Sequence, residues 1–210
     1  MKTLLKFLLN LYIKIYNFSY QNILKISTKL NDGINPKVNI IKYGNFFLNN
    51  IEENSKVLDI GCGIGFLTKL LSKKAKKVIG IDINKESFKF ALRNHNNHNI
   101  EYIVGDATIY NFKEYFDYII LSNGLEHIKN RKEFLKKIKP LSKVILIRVP
   151  MIDRSWLPLY IKNLGLEYRL DQSHYIEYTF KSFKKEIEDS GLKIKSYDIK
   201  FGEIWSLIEC

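Results

Sequence analysis

The residues best able to do chemistry in this chain stand where apolar runs end. In Val57-Leu58-Asp59-Ile60-Gly61-Cys62-Gly63-Ile64-Gly65 an apolar run carries an acid, and three glycines follow at alternate positions. Glycine permits a tight turn and lets a ligand press against the main chain. A helix that begins just after such a turn offers free N–H groups and the positive end of its dipole. Asp82 closes the next apolar run, ~20 residues on, where a carboxylate can accept hydrogen bonds from ribose hydroxyls. Gly105-Asp106 ends the run after that, where a carboxylate can meet the exocyclic amine of a base. Asp59 stands before the glycines and can face an ammonium group. Three acids around one nucleoside site suit a positively charged ligand and suit a pyrophosphate poorly.

The elements that must position these residues follow from the hydrophobic pattern. Apolar runs at 57–60, 78–81, 102–104, 118–121 and 144–149 lack polar alternation, as strands buried on both faces of a parallel sheet do. Asn35-Pro36 opens a helix ahead of the first run, with Asn as cap and Pro in the first turn, and helical patterns at 66–72, 86–94 and 131–138 lie between the runs. Alternation of strand and helix predicts a doubly wound α/β fold. Thr179 caps a last helix that runs to Gly191. Two final runs, 192–199 and 204–208, are joined by too short a turn for a crossover, so they pair antiparallel. The expected sheet is therefore mostly parallel and ends in a hairpin. In open α/β sheets a ligand sits beyond the carboxyl ends of the strands, where the glycines and acids fall.

With those motifs in place, the stretches "VLDIGCGIGFLTKLL", "VIGIDIN", "YIVGDA" and "FDYIILSNGLEHI" resemble the consecutive motifs of class I S-adenosylmethionine-dependent methyltransferases, over about residues 55 to 149. The resemblance implies that family's seven-stranded Rossmann-like sheet. It also implies S-adenosyl-L-methionine as cofactor and S-adenosyl-L-homocysteine as product. By that likeness Asp59, Gly61, Cys62, Gly63 and Gly65 surround the methionine part. Asp82 holds the ribose with Ile83 against the adenine, Asp106 meets the adenine amine with Ala107 beside it, and Ser122 and Asn123 lie near the methionine moiety or the methyl group.

Within the class, "GLEHI" is similar to the post-strand motif of small-molecule (methyltransferase type 11-like) enzymes acting on quinone precursors, lipids and sugars. A sulfonium already carries an activated methyl group, so the remaining tasks are to align the acceptor and remove its proton. His127 is the first candidate for that base, with Glu126 as a substrate contact. In "DQSHYIEYT", His174 is a second active-site candidate and Tyr175 a substrate contact; Arg154 could bind a polar or anionic acceptor. Glu126-His127 shows no third ligand nearby in sequence, so no metal site is expected. After the fourth strand stands Ser122-Asn123-Gly124-Leu125, in place of the Asx/Ser-Pro-Pro-aromatic turn common among methyltransferases of base and amide nitrogens. The expected reaction is O-methylation of a small molecule: a sugar or glycan intermediate, or a quinone or lipid precursor. The rivals are an RNA methyltransferase, a cofactor-binding scaffold without catalysis, and a nicotinamide dehydrogenase.

The 210 residues divide into an N-terminal helical extension over 1–54 and a cofactor-binding domain over 55–210, with a variable substrate segment at about 151–178 that reads as irregular. The formal net charge of +12 invites a nucleic-acid partner. The excess is mostly Lys spread along helices, so such a partner is not expected, and a small-molecule acceptor is. Cys62 and Cys210 give neither a disulfide framework nor a metal spacing, so a reducing, cytoplasmic setting is expected. Near the start, Leu4, Leu8, Leu11, Ile15 and Phe18 form an apolar stripe, and Lys6, Asn10, Lys14, Asn17 and Gln21 a polar one. The lysines break the run too often for a signal peptide or a spanning helix. An amphipathic helix is expected to pack on the domain by that stripe, or to rest on a membrane surface as a peripheral contact.

Overall fold

A computed structural model of the chain describes residues 1–31, 33–169 and 171–210. Five strands run parallel: β1 (Lys56–Ile60), β2 (Lys77–Asp82), β3 (Ile100–Val104), β4 (Phe116–Ser122) and β5 (Ser142–Pro150). Two more, β6 (Lys193–Lys200) and β7 (Glu203–Glu209), form the antiparallel hairpin, with β7 inserted against β5. The seven strands make one sheet in the order β3-β2-β1-β4-β5-β7-β6. β1, β2 and β5 are buried along nearly their whole length, and β4 along its second half, as unalternating runs require. β3 and β6 lie at the two edges and are correspondingly more exposed.

Helices cover both faces, and the period-two alternation of the strands decides which residue meets which layer. On one face Leu58, Ile81, Leu121 and Ile147 pack with Phe134 and Leu135 of α6 (Arg131–Ile138) and Phe183 and Ile187 of α8 (Phe180–Asp189). On the other, Val57, Val78, Ile120 and Leu146 pack with Leu67 and Leu71 of α4 (Phe66–Leu71) and Phe47 of α3 (Tyr43–Asn50). Each such side chain contributes ~1.5–3 kcal/mol by leaving water. The predicted cap of α8 is present as a capping box: Thr179 Oγ1 accepts from Ser182 N, and Ser182 Oγ accepts from Thr179 N.

The sequence reading is corrected in three places outside the sheet. The helix expected from Asn35 onward is two helices, α2 (Lys37–Ile41) and α3, because Lys42 turns left-handed at φ 52°. The break lets α3 lie close on α4, where a Cβ on Gly44 would stand 2.4 Å from Leu70 Cδ2. The stretch after Pro150, expected to be irregular, contains α7 (Trp156–Asn163). Pro158 belongs to its first turn, where a missing N–H costs nothing. Finally, α1 (Lys2–Leu30) does not dock by the stripe read from the sequence: Leu4, Leu11, Ile15 and Phe18 are exposed. Its buried residue is Ile13, on the opposite side, and Asn17 Nδ2 donates to Glu167 O at 3.1 Å. No helix among the described residues is long and apolar enough to cross a membrane.

Candidate active site

β1 and β4 are neighbours whose connections leave toward opposite edges, so their carboxyl ends frame the crevice that open α/β sheets use for ligands. A cavity of about 800 Å³ lies there. Of the cofactor contacts read from the sequence, Gly61, Asp82, Ile83, Asp106, Ala107 and Asn123 line it, as do His127 and Tyr175, the residues expected to act on the acceptor.

The loop after β1 is built around Asp82. Its Oδ2 accepts from Gly63 N and its Oδ1 from Asn84 N, each at 2.8 Å, so one carboxylate ties the glycine loop to the end of β2. Asn84 then caps α5 (Lys85–Asn94). The glycines divide their work. A Cβ on Gly63 would meet nothing within 4 Å, whereas one on Gly65 would stand 2.3 Å from the Tyr102 hydroxyl and 2.9 Å from Ala91 Cβ. Gly63 thus keeps the approach to the backbone open. Gly65, at φ 78°, instead lets α4 start against β3 and α5.

Three of the expected cofactor contacts lie behind this surface. Asp59 does not face the cleft: it is 1% exposed, and its Oδ2 accepts from Thr68 Oγ1 at 2.7 Å. Burial pushes its carboxyl up to about 7, against the pull of the Thr68 hydrogen bond and with a small push from Asp82. Asp59 therefore braces the loop from beneath. Cys62 turns toward β2, where a Cβ on Gly80 would lie 3.0 Å from its Sγ, and burial pushes its thiol up. Ser122 ends β4 paired with Arg148 and does not line the cavity.

Two basic residues that the sequence did not single out hold the rim. Lys137 of α6 donates from Nζ to the carbonyls of Ala107, Thr108 and Tyr110 at 3.1, 2.8 and 2.7 Å, pinning the loop after β3. In that loop Asp106 Oδ1 accepts from Thr108 N and Oγ1, and Oδ2 takes no hydrogen bond from the described residues. Arg148, 7% exposed, donates from Nε to Asn123 Oδ1 at 3.3 Å and stacks over the Tyr43 ring at 3.7 Å. It holds Asn123, itself left-handed at φ 53°, at the mouth of β4. Neither role has a sequence signature, because each depends on contacts with carbonyls and rings far away in the chain.

The acceptor side gathers three residues from two segments. Glu126 and His127 lie in the short 3-10 turn after β4, and His174 comes from the segment before α8. The two imidazoles are 4.7 Å apart, edge to face. His127 Nδ1 lies 3.0 Å from Ser173 Oγ, and that hydroxyl donates to Asp171 Oδ1 at 2.7 Å. With its proton committed to Asp171, Ser173 accepts from Nδ1–H, which leaves the Nε2 lone pair of His127 for other work. Burial, then the neighbouring His174, hold the His127 imidazole below its ordinary value, so it is neutral at pH 7. His174 is buried with Nδ1 3.3 Å from Glu177 Oε1. Glu177 in turn pairs with Arg154. Arg154, expected to bind the acceptor, does not line the cavity: it steadies the carboxylate beside His174.

Glu126 is the anomaly. It is fully buried, and neither carboxylate oxygen has a hydrogen-bond partner among the described residues. Burial pushes its carboxyl up to about 8. A buried polar group without a partner is costly, and native structures hold few of them. Glu126, His127 and His174 each offer a ligand atom, all within 4.8 Å of one another. The expectation of no metal site rested on the want of a third ligand, and His174 supplies one. Two imidazoles and a carboxylate suit a divalent transition ion or Zn²⁺.

Comparison with known proteins follows this geometry. Residues 57–143 match the family model described as "Methyltransferase domain". The mitochondrial ubiquinone biosynthesis O-methyltransferase of Dictyostelium discoideum is 30% identical over 136 residues, covering 55% of this chain and 41% of that protein. The (S)-coclaurine N-methyltransferase of Thalictrum flavum subsp. glaucum is 33% identical over 94 residues, covering 42% and 26%. The chain thus spans less than half the length of either relative. Among solved structures, an S-adenosylmethionine-dependent methyltransferase from Clostridium acetobutylicum superposes with a TM-score of 0.63 at 15% identity, over 91% of this chain and 98% of that one. The strand order, the glycine loop with an acid at the end of β2 and another after β3, and the family match agree: residues 57–143 match a methyltransferase domain, and the chain has the fold of solved S-adenosylmethionine-dependent methyltransferases.

Proposed function

We propose that the protein transfers the methyl group of S-adenosylmethionine to an oxygen atom of a small molecule. The observation that carries this reading is one cavity lined by two carboxylates, Asp82 and Asp106, and by the His127 imidazole. A bound cofactor would place its ribose at Asp82, its adenine between Ile83 and the Asp106–Ala107 corner, and its methionine end along Gly61 and Gly63. The acceptor oxygen would sit in line with the sulfur–methyl bond, at ~3–3.5 Å. Bound there, S-adenosylmethionine would supply an activated methyl group, its sulfonium leaving as the neutral thioether. The acceptor's proton passes to His127 Nε2. Tyr175, 57% exposed at the rim, would meet the acceptor.

Of the acceptor classes open from the sequence, a quinone or lipid precursor has the support of the relatives named for ubiquinone biosynthesis, and a sugar or glycan intermediate is the other. The bare Glu126 carboxylate favours a second reading of the same site. There Glu126, His127 and His174 would hold a divalent cation, which would supply Lewis-acid activation of the acceptor hydroxyl in place of a free imidazole base.

The test is transfer from methyl-labelled S-adenosylmethionine to pools of phenolic, sugar and lipid acceptors, before and after chelation, with His127→Ala alongside. Labelled ether or ester that disappears in the variant supports the proposal, and loss on chelation with recovery on adding a metal assigns the second reading. Label recovered on nitrogen or RNA, cofactor uptake without transfer to any acceptor, or full turnover by His127→Ala overturns it.

A further inference from the structure

The strongest feature outside the cleft is the outer face of α1. The helix docks through Ile13, Asn17, Tyr20 and Leu24, buried or half-buried positions at helical spacing. At ~100° per residue, Leu4, Leu11, Ile15 and Phe18 fall on the opposite side. They are 60, 42, 50 and 72% exposed. Ile26, Leu5, Tyr12 and Ile23 widen this exposed apolar arc. A soluble monomer rarely leaves so continuous an apolar strip uncovered.

Charge decides what covers it. Residues 1–31 contain Lys2, Lys6, Lys14, Lys25 and Lys29 and no Asp or Glu. Lys14 and Lys25 fall beside the apolar arc, where their stems can lie along it and their ammonium groups reach outward. A second copy of the chain would bring this all-positive strip against its own like charge. An acidic surface that also accepts apolar side chains meets both demands.

We propose that α1 lies flat on an anionic lipid bilayer, with Leu4, Leu11, Ile15 and Phe18 in the headgroup–acyl boundary and the lysines on lipid phosphates. The inner face keeps the helix on the protein: Asn17 donates to Glu167 O, Glu167 pairs with Arg169, and Arg169 Nη1 donates to His174 O at 2.6 Å. The docked helix is thus tied to the segment that supplies Ser173 and His174. This inference stands on α1 alone and does not depend on the proposed reaction.

The test is co-sedimentation of the full chain with vesicles of phosphatidylcholine alone and of phosphatidylcholine with 30% phosphatidylglycerol, the latter fraction chosen as a roughly physiological anionic content. Binding to the anionic vesicles at least tenfold tighter than to the neutral ones, weakened by salt, is expected. Ile15→Asp with Phe18→Asp removes apolar contact, and Lys14→Glu with Lys25→Glu removes charge; each pair should lower binding by more than tenfold. All four positions are exposed or polar, so the fold should survive, checked by an unchanged melting temperature. Equal binding to both vesicle types, no binding to either, or a solution dimer that Phe18→Asp splits would each overturn the proposal. S-adenosylmethionine uptake, measured separately, reports on the cleft and is expected to be the same in all variants.

Discussion

At the scale of single residues, the cleft makes three separable demands. Asp82 joins the glycine loop to β2 and, in the proposed binding mode, would meet the ribose, so Asp82→Ala removes charge-assisted hydrogen bonds worth ~1.5–3 kcal/mol each. Calorimetry should show S-adenosylmethionine binding weakened about tenfold or more, at ~1.4 kcal/mol per factor of ten. His127→Ala should lower kcat by roughly 10²–10⁴ while leaving cofactor affinity intact. Because the imidazole is held below its ordinary value, the acid limb of the rate profile should lie below that of free histidine. Glu126 and Asp59 make the third demand. Their folded-state carboxyls are raised to about 8 and about 7, so the folded protein keeps protons that the unfolded chain gives up. Their contribution is full below the ordinary carboxylate range and is lost as pH rises toward 8. The melting temperature of the cation-free protein should therefore fall between about pH 4 and pH 8, and Glu126→Gln should flatten part of that fall. A Glu126→Gln variant that melts with the same pH slope as the parent would show that Glu126 is not held protonated. The acids at 82 and 106 were legible in the sequence, because each simply ends an apolar run. Asp59 ends up beneath the loop although its spacing resembles theirs: strand alternation turns its side chain toward Thr68 of α4 rather than the cleft.

At the scale of elements, the sheet and the helices that cover it were largely readable, because buried parallel strands and amphipathic helices leave different periods in the sequence. What escaped depends on backbone exceptions and long-range contacts. Lys42 breaks a pattern that reads as continuous helix, and Pro158 stands in the first turn of a helix inside a stretch that reads as irregular. Arg154 reads as an anion binder, yet Glu177, 23 residues on, claims it. The turn into α4 gives a direct test. Gly65→Ala forces a side chain into a left-handed position and against Tyr102 and Ala91, a strain of ~1–3 kcal/mol. Chemical denaturation should show that loss, whereas Gly63→Ala, which meets open space, should lose cofactor affinity beyond what its own φ of 54° costs in stability. Lys137→Met frees the loop after β3. It should weaken S-adenosylmethionine binding without abolishing it, since Asp106 stays in place.

At the scale of the whole molecule, a doubly wound sheet places its ligand crevice where β1 and β4 diverge. The motif-bearing loops are thereby gathered on one edge, clear of the buried apolar core. The acceptor cluster sits beside that crevice and is completed by a segment distant in sequence, so its composition could be guessed from Glu126-His127 but its third member could not be placed. The net charge of +12 belongs to the whole surface, including α1, and is not gathered at the cleft, where Asp82, Asp106 and Glu133 face Lys129 and Lys137. A cofactor that binds only the folded chain also stabilises it, by ~2.7 kcal/mol at a hundredfold excess over Kd, which gives melting curves a second use as a binding assay. The most direct measurement of the central claim is isothermal titration of the full chain with S-adenosylmethionine and S-adenosylhomocysteine, beside Asp82→Ala. Saturable one-to-one binding of both ligands, weakened about tenfold or more in the variant, is the result expected from a charge-assisted contact at the ribose. Absence of binding heat for either ligand, or equal affinity in Asp82→Ala, would contradict the account.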